Sequence, residues 1–168
     1  DSSLSHMFGV VLRELGDAAS GFDVRGGALQ LDALVAALEK AAADAVAVAL
    51  CGTAFAFVHL LDAFAERGFR IPLPTGSRVM ETGGFKGRAR EMPRDALYLG
   101  IEHALAVAPE RIVNQYGMTE LGSQFYDSLL CDPGRARRKL VPPWTRARLV
   151  DPETGEDARP GAPGIVTI

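Results

Sequence analysis

Three short stretches carry residue types whose spacing could handle a nucleotide: Cys51-Gly52-Thr53, Glu81-Thr82-Gly83-Gly84 and Tyr116-Gly117-Met118-Thr119-Glu120. Glycine lets a backbone come close to a ligand, and its free N–H groups can take a phosphate or the edge of a base. Tyr116 offers a flat face to a base. Thr119 offers a hydroxyl to a phosphate, and Glu120 a carboxylate to Mg²⁺, which prefers hard oxygen ligands. Each stretch alone is also what a plain turn contains. Their chemistry gains meaning only if the fold gathers them at one edge.

The elements predicted around them do this. Leu31, Leu34, Val35, Leu38 and Ala42 recur at helical spacing, with Asp32, Glu39 and Lys40 on the other side. Ala45 to Leu50 is an apolar run without alternation, expected as a strand buried on both faces, as in a parallel sheet. After Cys51-Gly52-Thr53 a second helix is predicted from Ala54 to Arg67, closed by Gly68, with Phe57, Val58, Leu61 and Phe64 inward and Phe55, His59, Asp62 and Glu66 outward. A strand over Ser77 to Glu81 runs into Thr82-Gly83-Gly84. Pro93 opens a third helix reaching about Val107, and Arg111 to Asn114 forms the next strand. Strand and helix thus alternate, which predicts an α/β fold with a parallel sheet flanked by helices. Ligands of such sheets sit beyond the carboxyl ends of the strands, where all three stretches fall. The tail differs: Arg146 to Val150 and Gly164 to Ile168 read as two strands joined by the turn-rich Asp151-Pro152-Glu153-Thr154-Gly155 and Arg159-Pro160-Gly161.

Composition narrows the function classes. With 48% hydrophobic and 23% charged residues, the 168-residue chain can build a packed core and is not a disordered one. A net charge of −3 lacks the basic footprint of a nucleic-acid binder. The longest apolar run, Ala45 to Cys51, is far short of the ~20 residues a membrane helix needs. Two distant cysteines form neither a metal motif nor a disulfide framework, which suits a reducing cytoplasm. The chain starts without a Met and stops inside a predicted strand, so it reads as an internal fragment of a longer protein.

Asn114-Gln115-Tyr116-Gly117-Met118-Thr119-Glu120 resembles the Asn-x-Tyr-Gly-x-Thr-Glu signature of the adenylate-forming superfamily of acyl- and aryl-CoA synthetases. Glu81 to Arg88, followed by Tyr116 to Asp127, is narrower and resembles the acyl-protein synthetase (LuxE-type) branch, as does the opening Asp1 to Met7. That branch activates long-chain acids for bacterial fatty aldehyde formation. The resemblance implies that Gly83 and Gly84 line the adenine pocket and that Tyr116, with Gly117, packs on the adenine ring. It also implies that Thr119 meets the α-phosphate and Glu120 holds Mg²⁺, both in catalytic roles. Leu149 to Ile168 is similar to the superfamily's small β-region, so residues 1–140 are expected as the adenylation subdomain and 141–168 as the start of that region.

The implied protein is an ATP- and Mg²⁺-dependent ligase. It turns a carboxylic acid, in this branch a fatty one, into an acyl-adenylate and passes the acyl group to a protein thiol, with an acyl-acceptor or reductase protein as partner. The phosphate loop with its lysine, the ribose-binding Asp, the mobile C-terminal domain and the acceptor cysteine are expected outside residues 1–168. This stretch alone is therefore expected to be inactive and to bind ATP weakly. Two alternatives stay open: a phenylacetate-type CoA ligase, and a non-catalytic nucleotide- or acyl-binding module.

Other residues have plainer readings. Cys51 is expected as a buried structural residue, with the wall of an acyl channel as the second reading. Cys131 lacks a neighbouring base, His59 shares a solvated helix face, and His6 and His103 have no partners at ligand spacing. Arg135, Arg137, Arg138 and Lys139 are expected as a solvated basic loop, with a phosphate or partner contact as the alternative. Phe125 and Tyr126 read as core or acyl-pocket wall. Lys86 and Arg88 either touch nucleotide phosphates or lie in solvent.

Overall fold

A computed structural model describes residues 2–83, 92–117 and 121–168. By contact density the chain divides into two compact units, residues 1–114 and 115–168.

The first unit begins with helix α1 (Ser3–Leu15), whose first turn is capped by Ser2 accepting from the Ser5 N–H at 3.1 Å. A two-residue hairpin follows, β1 (Val24–Arg25) and β2 (Ala28–Leu29), turned by Gly26 and Gly27 at φ 57° and 80°. Helix α2 (Leu31–Ala43) buries Leu34, Val35 and Leu38, the face its periodicity predicts. The chain leaves α2 through Ala45 at φ 55° and enters β3 (Ala49–Thr53). Helix α3 (Ala54–Arg67) starts at once, capped by the Thr53 hydroxyl, and ends at Gly68 with the left-handed φ of 68° that glycine tolerates best. Strand β4 (Arg78–Thr82) lies parallel to β3, with Ala49 opposite Arg78 and Thr53 opposite Thr82.

Helix α4 (Arg94–Leu105) follows Pro93, which stands just outside the helix rather than in its first turn, and α4 ends at Leu105, two residues before the expected Val107. The orphan carbonyls at its C-terminal end are used by the segment before β4: Ile71 and Leu73 donate to Ala104 and Leu105 at 2.9 and 2.8 Å. A 3₁₀ turn, Pro109–Arg111, leads into β5 (Ile112–Tyr116). Phe64, Val58, Val79, Leu97, Ile101, Leu105 and Ile112 form the centre of this unit's core.

In the second unit β6 (Phe125–Asp127) pairs antiparallel with the last two residues of β5 and with β7 (Lys139–Leu140). Strands β8 (Arg148–Val150) and β9 (Ile165–Thr167) make the expected terminal hairpin. Its turn is organised by Asp151, whose Oδ1 accepts from the N–H groups of Glu153 and Thr154 at 2.8 and 3.3 Å.

The sheet order is β3-β4-β5-β6-β7, so the α/β class holds and the expectation of a parallel sheet is corrected to a mixed one. Residues 117–124 are too short for a parallel crossover, which takes ~12 residues, so the chain turns back antiparallel. The expectation for Ala45 to Leu50 is also corrected. The strand starts at Ala49, Val46 is half exposed, and β3 stands at the end of the strand order with exposed positions at Ala49 and Cys51.

In the basic run of the second unit Arg135 and Arg138 are exposed, as expected of a solvated loop, whereas Arg137 and Lys139 are partly covered. Arg137 and Lys139 pair with Asp127, which stands opposite Lys139 on β6 and has a side chain only 2% exposed; the Lys139 Nζ lies 2.9 Å from its Oδ1. Arg135 and Arg138 pair with Asp132. Asp127→Asn keeps the shape but leaves two partly covered cations without this charge. The expected loss is about 1.5–3 kcal/mol, the scale of hydrogen bonds to charged groups. Asp132→Asn, at a more open pair, should cost less than about 1 kcal/mol. Urea unfolding of the two variants checks the contrast.

Candidate functional site

The three stretches singled out from the sequence turn out to be built differently. Cys51-Gly52-Thr53 is no loop: all three residues are in β3, and α3 begins at Ala54. The Thr53 hydroxyl accepts from the Ala56 N–H at 3.1 Å, so it is used as a helix cap. Cys51 is exposed along the strand, which corrects the expectation of a buried residue, and the protein around its sulfur pushes the thiol up from its ordinary value. A thiolate is thereby disfavoured, and with it a nucleophilic role.

In the second stretch, Glu81 and Thr82 are the last residues of β4, and Gly83 turns the chain at φ 77°, a backbone conformation that favours glycine. Gly84, Lys86 and Arg88 lie outside the described residues.

In the third, Tyr116 belongs to β5 rather than to the loop after it. Pairing with Phe125 extends the strand past the expected Asn114. Tyr116 is 42% exposed, and its ring meets the Phe125 ring edge-on, 6.2 Å between centroids. Phe125 is buried and Tyr126 faces outward, as strand alternation demands. At Gly117 a Cβ would come within 2.8 Å of the Gln115 Nε2, the movable end of a side chain. Thr119 and Glu120 lie outside the described residues.

The sequence reading missed a buried polar cluster within the first unit, between Glu81 near the end of β4 and Asn114 in the middle of β5. The Glu81 Oε1 accepts from the Tyr98 hydroxyl of α4 at 2.8 Å and from the Asn114 side-chain amide at 2.7 Å. The Arg94 Nε stands 4.0 Å from the same oxygen. A signal for it was present: strand alternation puts Glu81 on the face of Val79 and Asn114 on the face of Ile112, and both aliphatics are core residues. His59 lies on the exposed face of α3, edge-on to Phe55 at 4.3 Å. Among the described residues, no group of three or more His, Cys, Asp or Glu could hold a metal ion. No described helix is long and apolar enough to cross a membrane.

Compared with known proteins, the chain matches over residues 22–168 the family model described as acyl-protein synthetase, LuxE. No curated protein matches the chain.

Proposed function

The chain belongs to the LuxE acyl-protein synthetase family, and from that premise we propose that the full-length protein activates a fatty carboxylic acid with ATP and transfers it to a protein thiol in the cytoplasm. The family match over residues 22–168 is the observation that carries this reading. In the first step a carboxylate oxygen attacks the α-phosphorus of ATP, the bond to the β-phosphate breaks, and pyrophosphate leaves. In the second, a thiolate attacks the acyl carbonyl carbon and AMP leaves.

Such steps ask a protein mainly for positioning and fixed charge. Tyr116, half exposed at the end of β5, suits a base-stacking role, and Gly117 beside it admits close backbone approach. Gly83 and Gly84 complete the adenine contacts in this reading. The Thr119 hydroxyl serves the α-phosphate, and the Glu120 carboxylate serves Mg²⁺. Mg²⁺, when bound, neutralises part of the phosphate charge. Residues 1–140 act as the adenylation subdomain and 141–168 as the beginning of the small β-region.

The test is carboxylate-dependent ATP–pyrophosphate exchange by the full-length protein across a series of fatty acids, followed by gel detection of labelled acyl groups on protein. Exchange with at least one acid, and a label released by hydroxylamine as a thioester would be, are expected. No exchange with any chain length would overturn the proposal.

A further inference from the structure

The Glu81 carboxylate is 2% exposed, beneath the carboxyl end of β4. One pleat earlier, Val79 and Ile112 fill the same face of β4 and β5 with apolar volume, so packing alone does not call for an acid here. A buried carboxylate is costly unless it is hydrogen-bonded, and replacing such a group by an apolar one is often neutral or stabilising. Its presence therefore points to a task other than filling the core.

Three elements converge on Oε1: β4 through Glu81 itself, α4 through Tyr98, and β5 through Asn114, whose amide comes from 33 positions away. Both strand positions lie at the roots of the proposed nucleotide motifs. Glu81 stands two residues before Gly83, and Asn114 two residues before Tyr116. One oxygen shared by two donors from separate elements fixes both donors to a single point.

We propose that Glu81 is a positioning residue for the acyl-activating step. By binding Tyr98 and Asn114 on one oxygen, it holds β4 just before Thr82 and Gly83, and β5 just before Gln115 and Tyr116. It touches no substrate and acts through these segments. The inference rests on the acyl-activation reading.

The experiment compares full-length wild type with Glu81→Gln, Glu81→Asp and Tyr98→Phe. Glutamine keeps the volume and the acceptor oxygen but removes the charge. In ATP–pyrophosphate exchange its KM for ATP should rise about tenfold or more, the scale of a hydrogen bond to a charged group, with the KM for the acid unchanged. Tyr98→Phe should shift the same constant less, and Glu81→Asp should recover part of the loss. A merely structural role would reduce the folded fraction, lowering kcat with both KM values fixed, and that result overturns the proposal. Amide hydrogen exchange supplies a readout independent of activity. In Glu81→Gln, amides 82–83 and 115–117 should exchange at least about tenfold faster while those of α2 and α3 are unchanged, because local opening is governed by local contacts. Uniform change, or none, overturns the positioning role even if the wild type proves inactive. Wild type without carboxylate-dependent exchange overturns the acyl-activation reading instead.

Discussion

Glu120→Gln in the full-length protein is expected to slow carboxylate-dependent ATP–pyrophosphate exchange by roughly 10²–10³-fold, the loss typical of one preorganised electrostatic contact to developing charge. The substitution keeps the side chain's shape and most of its hydrogen bonding and removes one negative charge. Mg²⁺ prefers charged, hard oxygen ligands, so the amide should hold it more weakly. Part of the loss should therefore return as Mg²⁺ is raised, whereas loss of fold would not. Circular dichroism of the variant should match wild type. Exchange within a factor of a few of wild type at every Mg²⁺ concentration would remove Glu120 from the metal. A plain salt bridge, for instance to Arg88, would then be the better account of it.

The largest expected effect on stability comes from Phe64. It is 2% exposed on the inner face of α3, and its ring meets Phe69 edge-on at 5.7 Å and 70°. Truncation removes buried apolar area, leaves a cavity whose walls relax only in part, and breaks the ring contact. Phe64→Ala should thus cost about 3–5 kcal/mol. That is a large share of the ~5–15 kcal/mol available to a typical domain. Phe55 provides the contrast: it lies on the outer side of the same helix against the exposed His59, so Phe55→Ala should cost only about 1 kcal/mol. Urea unfolding checks both, with the midpoint for Phe64→Ala falling at unchanged slope. A Phe64→Ala midpoint close to that of Phe55→Ala would mean that the α3 inner face is not central to the core.

The inner face of α3 was legible from sequence because helical periodicity is a local property. Phe57, Val58 and Phe64 repeat within one segment, and Gly68 closes it by a preference of its own backbone. The same holds for α2, for α4 to within two residues at its end, and for the β8–β9 hairpin with its Asp151 turn. Family membership was legible as well, since Glu81 to Arg88 and Tyr116 to Asp127 are short runs whose residue types are the signal.

What the sequence alone left undecided depends on which segments become neighbours. Ala45 to Leu50 has the composition of a central strand, yet β3 stands at the end of the sheet because only pairing assigns strand position. The sheet became mixed because the stretch after β5 is too short to cross over, a constraint on chain length rather than on residue type. Arg137 and Lys139 read as a solvated run until β6 places Asp127 opposite Lys139. Glu81 read as the end of a strand, and only Tyr98 and Asn114, arriving from 17 and 33 positions away, make it a buried hydrogen-bonded acid. Periodicity, caps and turns act over a few residues, and so the chain could determine its helices and motifs by itself. A charge is buried or exposed according to partners that only the folded sheet brings within hydrogen-bonding distance, and that was decided by the tertiary structure.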